Sequence, residues 1–447
     1  MTTEQSRDKP AEVTFWQAFA FWWKLGWISF GGPAGQIAVM HTELVLRRRW
    51  ISEKRFLHAL NYCMVLPGPE AQQLAVYIGW LMHQTRGGIA AGVLFVLPSL
   101  FILIALSWMY IAFGETPVVM GIFYGIKPAV AVIVAQAAHR IGSRALKNHY
   151  LWMIAGASFL AVFVFDVPFP AIVLLAALIG FCGGRYAPEK FHIGGGHSSA
   201  TKSYGSALID DHSPRLAHTY FSWLKLCRTI TAGFLLWMIP MLALYMLYGW
   251  SHTLTQMGWF FTKAAFLTFG GAYAVLPYVY QGAVNYYGWL TPTQMIDGLA
   301  LGETTPGPLI MVVAFVGFVG AYAQALLGSE QVFIAGALAA CLVTWFTFLP
   351  SFIFILAGGP LVESTHDDLK FTAPLTAITA AVVGVILNLA LFFAYHVLWP
   401  KGFNGYIDWT AIIIATLAAI ALFKFKRQVI AVIFSCAGVG LMLQLLK

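Results

Sequence analysis

The sequence predicts an all-α polytopic membrane protein built from two inverted-topology repeats joined by one linking transmembrane helix. Three observations point there. Of 447 residues, 60% are hydrophobic and only 10% charged, where a soluble domain carries roughly 25% charged residues. Apolar runs near the length that crosses a bilayer recur along almost the whole chain. The two halves also carry the same unusual residues at a constant offset in number.

Mean hydropathy of +0.76 excludes a soluble enzyme, a disordered chain and a collagen-like one. The 16 tryptophans suit membrane–water interfaces. The net charge of +8 belongs to cytoplasmic loops rather than to a nucleic-acid face. Cys63, Cys182, Cys227, Cys341 and Cys436 form no CxxC pair, so neither zinc nor a disulfide framework is expected. The first 13 residues are polar and lack the short apolar core of a cleaved signal.

Six apolar segments come first, at about 15–40, 56–83, 88–113, 117–138, 151–165 and 169–183. A polar stretch from Gly184 to Arg228 follows. It holds Gly194-Gly195-Gly196 and His192, His197, His212 and His218. The histidines fit no metal-ligand spacing, so this stretch reads as a flexible linker. A lone segment at 229–249 connects to six more, at about 256–281, 294–327, 331–357, 371–398, 409–423 and 429–446. The domain division is an N-terminal repeat (1–183), a cytoplasmic linker with its connecting helix (184–255) and a C-terminal repeat (256–447).

Lys24, Phe30-Gly31-Gly32, Trp50, Leu60 and Pro67-Gly68-Pro69 meet Lys263, Phe269-Gly270-Gly271, Trp289, Leu299 and Pro306-Gly307-Pro308. Leu97-Pro98-Ser99 resembles Leu349-Pro350-Ser351. The loop with Arg47, Arg48, Arg49, Lys54 and Arg55 faces a counterpart holding Tyr286, Tyr287, Gly288, Thr293 and Gln294. Such a loss of cations places the first loop inside and the second outside. The N-terminus and linker are then cytoplasmic. Arg86 would fall on the opposite face from Arg47 if segments 15–40 and 56–83 each crossed fully. Charge placement therefore favours re-entrant hairpins broken at Gly31-Gly32 and Pro67-Gly68-Pro69.

The breaks carry the candidate chemistry. Pro suits the first turn of a new helix, so Pro69 and Pro308 are expected to open half-helices. Their N-termini bear free N–H groups and partial positive charge, which suit an anion. Gly31, Gly32, Gly270 and Gly271 would let it approach the backbone. Lys24 and Lys263, at matched depths, are read as anion-attracting cations. Asn61, Gln72, Gln73, Thr304 and Thr305 are candidate donors to an oxyanion, or else bond within the bundle. Glu70 and Glu303 are candidate proton carriers, Glu70 equally a first-turn carboxylate. Arg47, Arg48 and Arg49 would concentrate anions at the entrance. Lys127 is a candidate third cation, and Asp166-Val167-Pro168 reads as a turn. There is no Gly-x-x-x-x-Gly-Lys-Ser/Thr, His-Glu-x-x-His or Gly-x-Ser-x-Gly motif, so no enzyme, metal or cofactor is expected.

The motifs Phe30-Gly31-Gly32-Pro33-Ala34-Gly35-Gln36, Arg48-Arg49-Trp50-Ile51-Ser52 and Leu66-Pro67-Gly68-Pro69-Glu70-Ala71-Gln72-Gln73 resemble the long-chain type of the chromate ion transporter family. So do Phe269-Gly270-Gly271 and Gly302-Glu303-Thr304-Thr305-Pro306-Gly307-Pro308. The resemblance spans both halves. It implies export of chromate across the bacterial inner membrane, conferring resistance, with sulfate as the look-alike anion. Proton antiport is compatible with it, and a homodimer is left open. The rival readings are an oxyanion importer, an anion channel and a membrane enzyme. The last would rest on Cys63 and His58, which lack a supporting constellation.

Overall fold

The computed structural model describes residues 10–191, 204–211, 216–364 and 372–446. Every regular element among them is a helix. Six helices are long and apolar enough to cross a membrane.

The first half opens with α1 (Phe15–Ile28), started by a capping box between Thr14 and Gln17. The chain breaks at Ser29–Gly31 and restarts as α2 (Gly32–His41), which widens into a π turn over Thr42–Arg47. Helix α3 (Glu53–Val65) is capped by Ser52. A second break at Leu66–Pro69 leads into α4 (Glu70–Phe113). Non-helical backbone at His83 and Gln84 folds α4 back on itself. A Cβ on Gly79 would sit 2.5 Å from the Gly87 carbonyl, so only glycine allows the two arms to approach this closely. Then come α5 (Pro117–Ala145), α6 (His149–Phe165), α7 (Phe169–Tyr186) and the short α8 (Pro188–Phe191). Asp166, in the left-handed conformation, ends α6 and makes the expected turn.

Helix α9 (Trp223–Tyr248) packs on α14 and α10 and leaves Ile230, Phe234 and Leu242 exposed. The second half repeats the start: α10 (Thr253–Leu267), α11 (Ala272–Tyr280) with a π turn over Gln281–Tyr286, and α12 (Pro292–Thr304). A short 3-10 turn, Leu309–Met311, opens α13 (Val312–Ala323). Helices α14 (Val332–Ser364), α15 (Thr372–Leu398), α16 (Trp409–Ala419) and α17 (Val429–Leu445) complete the chain. α5 packs along α15, α16 and α17, and α14 packs on α4, α10 and α13.

The offset of 239 holds at the level of single hydrogen bonds. Trp50 N donates to Leu44 O at 2.8 Å, and Trp289 N to Ala283 O at 2.7 Å. Arg49 and Gly288, also matched, both have positive φ.

Three of these breaks turn the chain back. The rings of Tyr62 and Tyr77 lie 5.8 Å apart, whereas fifteen residues of continuous helix would separate them by about 22 Å. Phe260 stacks on Tyr278 at 4.6 Å across the Phe269–Gly271 break, and Phe315 packs against Gly298 across the Thr305–Pro308 break. Segments 56–83, 256–281 and 294–327 are therefore each two helices, not one. Their arms of 9–15 residues span about 14–23 Å, less than the roughly 30 Å hydrocarbon core.

The linker departs from its expected flexibility. Within 204–211 it forms a parallel bridge, Ile209 to Ile51. Leu208 N donates to Arg49 O at 2.9 Å, and Ser52 Oγ to Asp211 Oδ1 at 2.6 Å. Buried Ala207 and Ile209 supply the apolar anchor that composition alone did not reveal. His218 packs edge-on against Trp80. His192, His197, His212 and Gly194-Gly195-Gly196 lie outside the described residues.

Candidate functional site

Four hairpin tips converge, and they do so crosswise. Gly68 N, in the first Pro-Gly-Pro, donates to Thr268 O of the second half at 2.7 Å. Gly307 N, in the second, donates to Ser29 O of the first half at 2.8 Å. Ser29 and Thr268 are themselves matched by the same offset of 239. Pro cannot donate and disfavours helix before it. Each Pro-Gly-Pro therefore ends one helix and starts another while its central N–H remains free to pair across the halves.

The Leu-Pro-Ser repeats join at the same place. A Cβ on Gly68 would lie 2.4 Å from Ser351 Oγ, and one on Gly307 would lie 2.8 Å from Ser99 Cβ. Each glycine also has positive φ, +130° and +97°, so both space and backbone demand it.

Four helical segments begin at these tips, after Gly31, Pro69, Gly271 and Pro308. None of these residues has a side chain that can cap, so the first-turn N–H groups have no side-chain acceptor from the cap position. Gly31 is exposed and Gly271 buried.

Polar side chains gather here. Gln36, fully buried, donates through Nε2 to Gly307 O. Gln73 Nε2 donates to Pro67 O at 2.8 Å and reaches Ser351 Oγ at 3.4 Å. Gln72 is fully buried, and neither its amide nitrogen nor its oxygen has a partner. Ser29 Oγ, Ser99 Oγ and Gln36 Oε1 are also buried and unpartnered. An orphaned buried polar group costs about 1–3 kcal/mol. Glu70 Oε1 lies 4.0 Å from where a Cβ on Gly271 would sit. Glu303 is buried and accepts a hydrogen bond from Tyr273 OH; the Tyr273 ring lies 5.9 Å beneath the Arg140 guanidinium.

Other expected residues sit differently. Lys24 is exposed on α1 between Trp23 and Trp27. Lys263 is half-buried, with Nζ 5.9 Å from the Trp259 ring. Asn61 is half-buried. The hydroxyls of Thr304 and Thr305 donate to Leu301 O and Gly302 O, so their protons are spent within the helix. Arg47 and Arg48 share the Glu43 carboxylate at 2.7 and 3.4 Å, and Arg48 also lies over Phe21 and Trp50. Arg49 carries the backbone carbonyl that docks the linker. Lys127 pairs with Asp297 at 3.5 Å. Ser29, Gln36, Tyr273, Ser99, Ser351 and Asp297 join the site without being among the candidates the sequence offers. The repeated Leu-Pro-Ser and an aspartate inside an apolar segment were the available signals.

Comparison with known proteins agrees with this frame. A family model described as "Chromate transporter" matches residues 16–181 and 255–441. The chain is 31% identical over 441 residues to a chromate transport protein of Pseudomonas aeruginosa, covering 96% of this chain and 93% of the relative. A chromate transport protein of Cupriavidus metallidurans is 27% identical, at 93% and 89% coverage. An uncharacterized transporter of Methanocaldococcus jannaschii is 24% identical, at 96% and 94%. No solved structure matches.

Proposed function

The chain belongs to the chromate transporter family, and from that premise we propose that it is a secondary transporter exporting chromate across the bacterial inner membrane, thereby conferring resistance. The observation that carries the proposal is the crosswise meeting of the tips, Gly68 N to Thr268 O and Gly307 N to Ser29 O, around unpartnered buried amides and hydroxyls. Uncapped helix starts supply partial positive charge, and Gln72 offers a donor that nothing else uses. This suits a tetrahedral dianion such as chromate, with sulfate as competitor.

The hairpins are re-entrant in this reading, and the halves, 1–183 and 256–447, are inverted relative to each other about the 184–255 linker and connecting helix. Two features support the orientation. The linker is pinned to the arginine loop at Ile51–Ile209, so both lie on one face, and the cation excess makes that face cytoplasmic. Arg47, Arg48 and Arg49 draw the anion in. Gly31, Gly32, Asn61, Pro67, Gly68, Pro69, Gln72, Gln73, Gly270, Gly271, Thr304, Thr305, Pro306, Gly307 and Pro308 surround it, with Lys24 and Lys263 adding charge. Rocking of one half against the other alternates access. Glu70 and Glu303 carry protons in antiport. The membrane potential alone already favours expulsion by roughly 2.3 kcal/mol per charge per 100 mV. A homodimer is compatible with the large exposed apolar surface.

The test is chromate uptake into everted membrane vesicles, with and without a pH gradient. The expected result is saturable uptake, inhibited by sulfate and faster with the gradient. Uptake no greater than in empty vesicles, with protein shown to be folded and inserted, would overturn chromate as substrate. Uptake indifferent to the gradient would remove the antiport step alone.

A further inference from the structure

We propose that Asp297 and Lys127 form a proton-exchange site in the outer half of the protein, in which a proton taken up by Asp297 frees Lys127 to pair with the departing oxyanion. This rests on the transport reading above.

The geometry is asymmetric. Asp297, on α12, is buried at 2% exposure. Its Oδ2 accepts from Tyr110 OH at 2.9 Å and pairs with Lys127 Nζ at 3.5 Å. Its Oδ1 is buried with no partner at all. The Lys127 side chain, by contrast, is 26% exposed. The pair thus has a closed acidic end and an open cationic end. A buried carboxylate with one idle oxygen is poorly compensated, because low dielectric makes each unmade interaction expensive. Protonation at Oδ1 removes that charge, and the lysine then carries an unbalanced positive charge facing accessible space. A dianion passing there restores the balance. The step is stoichiometric: one proton bound to Asp297 for each ammonium released to the anion.

Three elements fix the site. Asp297 comes from α12, Lys127 from α5 and Tyr110 from α4, so the pair couples the second half to the first. Among the described residues, Lys127 and Tyr110 are the titratable groups that face Asp297; α13, α15 and α17, also packed on α12, turn none toward it. Glu303 follows six residues later on the same helix, about 9 Å toward the hairpin tip. In the proposed topology α12 starts at the outer loop, so Asp297 lies between the outside and Glu303. The matched position in the first half is His58, and no ion pair is recorded for it among the described residues. Intramembrane carboxylates in series are the usual construction of a proton relay.

The experiment uses the full chain reconstituted in liposomes. Chromate uptake is measured with and without an imposed pH gradient for the wild type, Asp297→Asn and the double variant Lys127→Gln/Asp297→Asn. The double variant keeps the site neutral if the single one fails to fold. The expected result is gradient stimulation of several-fold in the wild type and less than a quarter of it in both variants. Wild-type stimulation in a folded, inserted variant overturns the proposal. So does a wild type that transports without any response to the gradient, which leaves the transporter reading standing. Infrared difference spectra on acidification, with no anion present, provide a readout that needs no substrate. A protonated-carboxyl band lost in Asp297→Asn and shifted in Lys127→Gln supports the site even if chromate is not carried. No Asp297-dependent band overturns it.

Discussion

The two halves share a backbone and differ in chemistry. At matched positions both have a Gly-Gly tip, a π turn, a capped helix, a Pro-Gly-Pro tip and a carbonyl that receives the other half's glycine N–H. The side chains at those tips are not matched. The first half brings Gln36, Glu70, Gln72 and Gln73, where the second has Val275, Leu309, Met311 and Val312. The second brings Tyr273 and Glu303, where the first has Ala34 and Met64. Gly31 at the first-half tip is exposed, and its counterpart position at the second tip, Gly270-Gly271, ends in the buried Gly271. The repeated backbone thus builds the frame, and the first half furnishes amides and Glu70 while the second furnishes Tyr273 and Glu303. Two identical half-sites would be symmetric; this division puts the amides on the first half alone, as a donor wall, with one acid on each half.

The largest effect should come from breaking what the halves have in common. Gly307→Ala and Gly68→Ala each force a Cβ into a neighbouring serine at positive φ. Strain of about 1–3 kcal/mol at each tip should lower chromate uptake about tenfold or more. The two losses should be similar if the tips are functionally equivalent. A tenfold loss in one and none in the other would break the equivalence.

The next comparison targets the donor wall. Gln72→Leu removes an amide with no partner in the protein, so thermal unfolding should show stability unchanged or raised by about 1 kcal/mol. Uptake should nevertheless fall about fivefold. A parallel loss of stability and transport would show that Gln72 serves packing. Met311→Leu, at the matched second-half position, should change neither by much.

A smaller contrast separates the two lysines. Lys263 is half-buried and Lys24 exposed, and a charge is worth more where solvent is excluded. Lys263→Ala should raise KM for chromate about threefold and Lys24→Ala by less. The reverse order would place the anion path along the outer face of α1. Smallest of all should be Arg47→Gln with Arg48→Gln. Both arginines sit at a surface where Glu43 already offsets part of their charge. Uptake should slow about twofold at low ionic strength and recover near 0.5 M salt, because steering by exposed charge is screened.

Much of this was legible in the residues. The helical membrane class follows from composition. The breaks follow from Gly31-Gly32 and the two Pro-Gly-Pro motifs, because proline and glycine restrict or free the backbone wherever they stand. The matching of halves follows from Lys, Trp, Gly and Pro at one offset. Other features were not legible. Segments 256–281 and 294–327 look continuous in hydropathy, since both arms of a hairpin are equally apolar; there Phe260 against Tyr278 and Gly298 against Phe315 reveal the reversal, whereas the break at Pro67-Gly68-Pro69 in 56–83 is readable from charge placement and proline. The linker looked featureless because the two apolar residues that pin it, Ala207 and Ile209, are too few to shift its composition. Asp297 is visible as a single acid within a long apolar run, but its partners Lys127 and Tyr110, far away in the chain, are not.

By itself the sequence determined the class of protein, the places where helices break and the pairing of its halves, because these depend on local backbone preference and on total apolar content. Tertiary structure alone decided that each tip bonds to the other half, that Lys24 faces outward while Lys263 is half-buried, and that Lys127 belongs to Asp297. Those outcomes depend on which surfaces meet after the hairpins fold, and partners far apart in the chain are chosen by packing in three dimensions rather than by any local signal.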